Sequence, residues 1–291
     1  MIPKHMTFFW ANEEMSWMRF MTLYSFRKLN PDWKMTLFLS RPNEITTKVW
    51  ADTPIQDFHN FSGRDYFRSL LDLDIHICNW EFENRGRVTS DTVGASHKSN
   101  FFKWQWMAKE GGFYSDLDIL YVRPFDDFYQ KCKDFDTVIC HHGYFSIGLL
   151  GSSGNNNLFK NVYDYTFKNY GSSAYQSAGV LSIYSLCGRF VEDNNFSNNY
   201  TKWPRGLAIL VRHYKKMSFY NIPIEVVYPW LFDQMEHVFE EEYTSIPDEC
   251  IGIHWYAGSE LGQKYNNLLN EENYKEYSST FTYFAREVKT K

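Results

Sequence analysis

The segment from Ser99 to Asp118, SNFFKWQWMAKEGGFYSDLD, combines a helix, a glycine stop and a strand that ends in two carboxylates. Its apolar residues recur at helical spacing, which predicts a helix over 97–110 that begins at Ser96 or Ser99 as its N-cap. Gly111-Gly112 is expected to end that helix, because glycine adopts the left-handed backbone conformation common at helix C-termini. The apolar residues that follow predict a short strand running directly into the carboxylate pair.

Three Asp-X-Asp sequences occur in the chain, at 72–74, 116–118 and 134–136, and their surroundings distinguish them. The first lies in an alternating apolar segment, which predicts a strand with the acids on its polar face. The third precedes the apolar run 137–140, which favours a solvated turn. Only the second is predicted to follow a strand into a loop, where carboxylate oxygens can hold a hard divalent cation and leave coordination positions for water and phosphate. We therefore predict a metal site at 116–118.

The intervals of this segment resemble those of the DXD-containing retaining glycosyltransferases, a family 32-like group that includes initiating α-mannosyltransferases, α-1,4-galactosyltransferases and clostridial glucosylating toxins. Their block runs Ser-Asp, two apolar residues, Arg, a helix, Gly-Gly, an aliphatic or aromatic residue, Tyr, any residue and Asp-X-Asp. Every interval is matched, but Asn100 replaces the usual Asp and Lys103 the usual Arg. Asn still hydrogen-bonds hydroxyls, and Lys keeps the positive charge but loses the bidentate fork. These differences bear on the donor sugar more than on the reaction.

The resemblance implies a role for each matched residue. Asp116 and Asp118 would hold Mn²⁺ or Mg²⁺, and Lys103 would assist the departure of the diphosphate. These three are the candidate catalytic residues. Tyr114 and Asn100 would lie against the ribose or the donor sugar.

The first strand of the chain, predicted over 2–10, resembles the family's opening strand, whose end carries an aromatic ring that stacks on the nucleobase. Trp10 occupies the matching position, and a flat π surface at a strand end suits base stacking. Phe9 is also a candidate donor contact, although packing in the core is the simpler interpretation for it and for Phe8.

The segment 251–259, IGIHWYAGS, resembles the family's C-terminal His-Trp and Gly-Ser segment, which lies over the diphosphate. An imidazole nitrogen can complete a metal shell, so His254 is the candidate third metal ligand. Ser259 and Lys264 are candidates for contact with the donor's diphosphate. A satisfied, partly buried histidine is the structural alternative for His254.

The resemblance implies a GT-A fold, which is α/β and Rossmann-like, with a mostly parallel sheet flanked by helices. The expected reaction is metal-dependent transfer of a hexosyl group, with retention of configuration, from a nucleotide-diphosphate sugar to a hydroxyl of a glycan, glycoprotein or glycolipid. Trp10 favours a UDP-sugar as donor. The alternatives are a catalytically degenerate binding module for sugars or nucleotide sugars and a nucleotide-sugar hydrolase of the same fold. Acceptor-side residues stay unranked among Glu192, Asp193 and Asp233.

Composition agrees with a globular enzyme. A length of 291 residues and 44% hydrophobic content suit one domain over 1–291. A net charge of −5 argues against a nucleic-acid partner. The five scattered cysteines suggest buried thiols rather than disulfides, and neither a signal peptide nor a transmembrane segment is recognised, so we expect a cytoplasmic protein.

Alternation of apolar runs with helical patterns along the chain predicts the mostly parallel sheet. We expect a helix over 16–29, a second over 97–110 and a third from about Leu158. The predicted strands cover 2–10, 34–40, 73–78, 137–140 and 146–150.

Overall fold

The computed structural model of the chain describes residues 1–11, 14–40, 61–171, 176–191 and 205–291. The strands are β1 (His5–Trp10), β2 (Lys34–Ser40), β3 (His76–Trp80), β4 (Gly112–Ser115), β5 (Ile119–Tyr121), β6 (Thr137–His141), β7 (Phe145–Ser152), β8 (Phe219–Asn221) and β9 (Gly252–His254). The helices are α1 (Trp17–Leu29), α2 (Ala95–Lys109), α3 (Asp126–Cys132), α4 (Asn157–Asn169), α5 (Val180–Val191), α6 (Gly206–His213), α7 (Glu236–Phe239), α8 (Glu260–Leu268) and α9 (Thr280–Thr290).

Seven of these strands form a central sheet in the order β3-β2-β1-β4-β7-β6-β8. The pairs from β3 to β4 are parallel, β7 is antiparallel to both β4 and β6, and β8 is parallel to β6. Strands β5 and β9 make a separate antiparallel pair. The predicted α/β class with a mostly parallel sheet is therefore confirmed. Ligands of such sheets bind beyond the carboxyl ends of the parallel strands.

The period-two pattern of β1 explains why the sheet is covered on both faces. Met6, Phe8 and Trp10 enter one buried apolar cluster, whereas Phe9 enters the other. Successive side chains of a strand point to opposite faces, and every residue of β1 from Met6 to Trp10 is buried, so this central strand is covered on both sides. Helices α1 and α9 contribute to the first cluster, and α2 and α4 contribute to the second.

The helix of the opening segment is confirmed, but its N-cap prediction is wrong. Helix α2 begins after Gly94, which caps it without a side-chain hydrogen bond, so Ser96 and Ser99 both lie inside the helix. The Ser99 hydroxyl is instead paired with the Tyr114 hydroxyl at 2.7 Å. The Ser99 hydroxyl, which the local sequence predicted to cap the helix, thus makes its hydrogen bond with a residue outside the helix.

The predicted strand around 73–78 is also corrected. Residues Phe67–Asp72 form a 3₁₀ helix, and β3 starts only at His76, where it meets Thr36 of β2. Asp72 and Asp74 therefore precede the strand and are exposed. Alternation of apolar and polar residues did not predict the start of β3, because a strand also needs a neighbouring strand to hydrogen-bond with, and β2 pairs only from His76 onward. The predicted turn at 134–136 is confirmed, since these residues join α3 to β6.

Four cysteines are buried, as predicted, but Cys78 is exposed on β3. All five are free thiols. Among the helices in the described ranges, none has both the length and the hydropathy needed to cross a bilayer. The cytoplasmic location stays a prediction.

The glycine that ends α2 is required by both conformation and space. Gly111 has a φ of +78°, and a Cβ there would lie 2.5 Å from the Gly154 nitrogen and 2.6 Å from the Ser152 oxygen. Both neighbours are backbone atoms, which cannot move aside as a flexible side chain can.

We expect Gly111→Ala to lower the free energy of unfolding by about 3 kcal/mol, through backbone strain and overpacking. Gly86→Ala is the matched control, because Gly86 has a φ of +57° with nothing within 4 Å of its added Cβ. Strain alone should cost that variant about 1 kcal/mol. Urea unfolding of both variants gives the comparison, and equal losses would contradict the crowding argument.

Candidate active site

The turn between β4 and β5 carries Asp116 and Asp118. Strand β4 is central in the sheet, and β5 pairs with β9 so that Ile119 lies opposite His254. This pairing brings a residue from the end of the chain next to the turn. Ligand atoms of Asp116, Asp118 and His254 lie within 4.8 Å of one another. The chain thus assembles two carboxylates and an imidazole beyond the carboxyl end of a parallel strand.

Asp118 is held on three sides by the segment that follows β9. Its Oδ1 lies 3.2 Å from Nε2 of His254, and its Oδ2 accepts a hydrogen bond from the backbone N–H of Ala257 at 2.9 Å. Its backbone carbonyl accepts from the N–H of Trp255 at 2.8 Å. The orientation of this carboxylate is therefore fixed by the fold before any ligand arrives.

Asp116 is held by α2 and β4 through one oxygen. Its Oδ1 accepts hydrogen bonds from Nζ of Lys103 at 3.0 Å and from the hydroxyl of Tyr114 at 2.9 Å. The Lys103 side chain is only 2% exposed and also donates to the Ile147 carbonyl at 3.2 Å. Burial, followed by the negative charge of Asp116, raises the pKa of Tyr114 well above its usual value, so the phenol stays a donor.

The remaining oxygens suit a hard divalent cation. Hydrogen-bond donors of the protein hold Oδ1 of Asp116 and Oδ2 of Asp118. The other two oxygens, Oδ2 of Asp116 and Oδ1 of Asp118, are the candidate ligands, and the second of these faces Nε2 of His254 at 3.2 Å. Carboxylate oxygens are the ligands that Mg²⁺ and Mn²⁺ prefer. The Lys103 ammonium neutralises one of the two carboxylates, so the site has a modest negative charge.

A backbone hydrogen bond indicates which tautomer His254 adopts. The backbone N–H of Tyr256 donates to Nδ1 of His254 at 3.3 Å, so Nδ1 is an acceptor and the ring proton is on Nε2, toward Asp118. Coordination of a cation through Nε2 requires the proton to move to Nδ1, where it opposes the Tyr256 N–H. In this tautomer the Nε2–H of His254 faces Oδ1 of Asp118, with 3.2 Å between the two heavy atoms.

Gly148 and Tyr228 support the site and were missed in the sequence. The Gly148 carbonyl accepts from the N–H of Asp116 at 2.7 Å, and its own N–H donates to the Tyr228 hydroxyl at 2.9 Å. A Cβ at position 148 would lie 2.9 Å from Nε2 of His254. A glycine inside a strand pattern signals such a close approach.

The aromatic residues predicted to contact the donor lie in different surroundings. Trp10 is 9% exposed, and the guanidinium of Arg19 lies 4.9 Å from its ring centroid and 5.7 Å from that of Trp255. Phe9 is buried and stacks on Phe102 with ring centroids 5.2 Å apart. Base stacking by Trp10 and donor contact by Phe9 stay predictions.

Of the three other predicted donor contacts, two have partners within the protein. Ser259 is the N-cap of α8 and accepts from the N–H of Gly262 at 2.9 Å. Lys264 is exposed and pairs with Glu240 at 2.9 Å. Asn100 is half-buried on α2. The site thus brings together Asp116, Asp118, His254, Lys103 and Tyr114, and the roles of the other three stay predictions.

No family model and no curated protein matches this sequence. Several solved structures are similar to this chain in part, among them three glycosyltransferases. The PaToxG glycosyltransferase is 13% identical, with a TM-score of 0.42 over 72% of this chain and 86% of its own. The glycosyltransferase GlyE of Streptococcus pneumoniae TIGR4 is 11% identical (TM-score 0.43; 97% and 63% covered), and mouse xyloside xylosyltransferase 1 is 9% identical (TM-score 0.46; 88% and 98% covered). Similarity at this level assigns neither a reaction nor a substrate to this chain.

We expect Lys103→Met to bind Mn²⁺ alone about tenfold more tightly than wild type, because it removes a positive charge 3.0 Å from Asp116. Tyr114 still orients the carboxylate in this variant. Isothermal titration calorimetry without nucleotide measures the change. Lys109→Met, an exposed lysine at the end of the same helix, is the control. Weaker binding by Lys103→Met would show that the ammonium acts mainly by orienting Asp116.

Proposed function

We propose that this chain is a metal-dependent glycosyltransferase that moves a hexosyl group from a nucleotide-diphosphate sugar, with UDP as the favoured nucleotide, to an acceptor hydroxyl. The observation that carries the proposal is the juxtaposition of Asp116, Asp118 and His254, whose ligand atoms lie within 4.8 Å, with the buried ammonium of Lys103 beside them. The spacing of the opening segment supports it independently. A cation site with a modest charge suits a ligand that brings its own phosphates.

Asp116 and Asp118 would hold Mn²⁺ or Mg²⁺ through their two available oxygens. The cation, when bound, would stabilise the negative charge that grows on the diphosphate as the glycosidic bond breaks. Lys103 adds positive charge from the other side of Asp116, and its burial keeps water from screening it. Because Tyr114 and Lys103 share Oδ1 of Asp116, the carboxylate cannot rotate away while the leaving group forms.

The proposed donor contacts extend along the same edge of the sheet. Trp10 ends β1, the strand next to β4, so its ring borders the region where a nucleobase would lie. Asn100 is on α2, one turn before Lys103, and its amide can hydrogen-bond sugar hydroxyls. Ser259 and Lys264 complete the proposed donor contacts near the diphosphate.

Retention of anomeric configuration is also proposed, on the family resemblance alone. For a glucosyl, galactosyl or N-acetylglucosaminyl product, proton NMR decides it, because an α-linked donor then gives an α-linked product with the small anomeric coupling. A large coupling would indicate inversion.

Two alternatives are kept because Asn100 and Lys103 differ from the family pattern. A degenerate binding module would bind nucleotide sugar without turnover. A hydrolase would release free hexose whether or not an acceptor is present. The site's retained pair of oriented carboxylates favours turnover over binding alone, since a sugar-binding module does not need a diphosphate site.

We expect one UDP-sugar to raise the melting temperature of the wild type by about 5 °C at 100 times its dissociation constant, and only with Mn²⁺. The panel is UDP-glucose, UDP-galactose, UDP-N-acetylglucosamine and GDP-mannose, each with and without the metal. Asp118→Asn should abolish the shift, because the amide keeps the shape but not the charge.

Asp74→Asn is the matched control, because Asp74 ends the other Asp-Leu-Asp sequence and is exposed. It should keep the full shift. No shift with any donor for a folded wild type would contradict the proposed donor class. A shift that survives Asp118→Asn would place the nucleotide elsewhere.

A further inference from the structure

An exposed aromatic ring is presented by a rigid turn close to the metal centre. Phe232 and Asp233 are the central residues of the turn Leu231–Gln234. The N–H of Gln234 donates to the Leu231 carbonyl at 2.9 Å, and the N–H of Leu231 donates to the Gln234 side chain at 2.9 Å. Phe232 is nevertheless 48% exposed. The turn therefore fixes the backbone of a phenylalanine that stays half in water.

A chain of ring contacts connects Phe232 to the metal centre. Its ring meets that of Tyr256 edge to face, with centroids 5.8 Å apart, and the Tyr256 ring lies 4.2 Å from that of His254. The next residue, Ala257, donates its N–H to Asp118. The position of the Tyr256 ring is thus tied on both sides to residues that contact Asp118.

Tyr256 itself has a left-handed backbone, with a φ of +43°. This conformation is costly for a residue with a Cβ, and it persists here because His254 and Ala257 are both held by Asp118. With this backbone conformation, the Tyr256 ring contacts the ring of Phe232. Strain of this kind is concentrated where a side chain must be aimed at a ligand.

The chemistry around Phe232 is mixed rather than purely apolar. Asp233 is exposed in the same turn. It directly follows Phe232 in the chain, and the phenol ring of Tyr256 contacts the Phe232 ring. A sugar ring has an apolar face of C–H groups and a rim of hydroxyl donors. The Phe232 ring could pack on that face, and the neighbouring carboxylate and phenol could accept hydrogen bonds from the hydroxyls.

We propose that Phe232, Asp233 and Tyr256 form an acceptor subsite that binds a saccharide, with the sugar face on Phe232 and a hydroxyl hydrogen-bonded to Asp233. The inference rests on the proposed function, which needs an acceptor beside the donor, and it names the class of acceptor as a glycan. A protein or lipid acceptor would use a wider apolar surface than this ring bordered by polar groups. Among the three acidic residues left unranked in the sequence, Asp233 is the one within the described residues. Glu192 and Asp193 lie outside the described residues.

The test measures saccharide binding directly, without donor or metal. Saturation-transfer NMR is recorded with the methyl α- and β-glycosides of glucose, galactose and N-acetylglucosamine. We expect the wild type to bind at least one of them, with the C–H groups of one ring face receiving the signal. Phe232→Ala should weaken that binding about tenfold, the loss of one stacking contact. Phe232→Tyr, which keeps the ring, should bind as the wild type does.

Tyr243→Ala is the matched control, because Tyr243 is 49% exposed and packs on Tyr283 away from the turn. It should bind the glycoside as the wild type does, and melting curves confirm that every variant is folded. Asp233→Asn should weaken binding while leaving the signal on the same ring face.

Failure to bind any glycoside, or equal binding by Phe232→Ala and wild type, would overturn the inference and leave a protein or lipid as the occupant of the turn. Neither result depends on donor binding. The donor panel with Mn²⁺ tests the proposed function separately, so the two failures are distinguishable.

Discussion

The hydrogen bonds that hold Asp118 to the end of β9 are the constraint on which the site depends. Strand β5 has only three residues, and the carboxylate before it would be a mobile surface group without a partner. Its Oδ1, its Oδ2 and its carbonyl instead contact His254, Ala257 and Trp255. Residues 136 to 139 positions later in the chain thus fix the geometry at the turn. This long-range pairing costs chain entropy, which the burial of β5 and β9 in the apolar cluster offsets.

Charge is balanced around the two carboxylates in different ways. Asp116 is paired with a buried ammonium, whereas Asp118 is paired with neutral donors from the backbone and an imidazole. Removing the ammonium from a buried position would leave Asp116 and the Ile147 carbonyl short of a partner. The Lys103 side chain therefore has a structural role whatever its part in chemistry.

Local signals in the sequence predicted the fold well, and long-range contacts explain what they missed. The predicted strand 34–40 and the helix from 16 to 29 match β2 and α1 within a residue, because periodicity and a serine cap set their limits. The turn that carries Asp116 and Asp118 was also predicted, because a helix, a glycine stop and a short apolar strand precede it in the sequence. Ser99, by contrast, was misassigned as a cap because its tertiary partner is Tyr114. Gly148, Tyr228 and Ala257 reach the site through contacts between residues far apart in the chain, which spacing alone cannot place.

The hydrogen bond from Tyr256 to His254 connects the two halves of the proposed site. While Nδ1 of His254 accepts from Tyr256, its Nε2 faces Asp118 as a donor. If a cation is coordinated by Nε2, the ring proton must be on Nδ1, and two N–H groups then point at each other 3.3 Å apart. Either Tyr256 would move, taking with it the ring that Phe232 contacts, or His254 would stay protonated on Nε2 and a cation would be held by the carboxylates and by oxygens of its ligand. If Tyr256 moved, metal binding would be coupled to the proposed acceptor subsite. If His254 kept its proton on Nε2, its role would be to position Asp118. In both cases Trp255 and Tyr256, which lie between His254 and Ala257, connect the residues that contact Asp118 to the ring of Phe232.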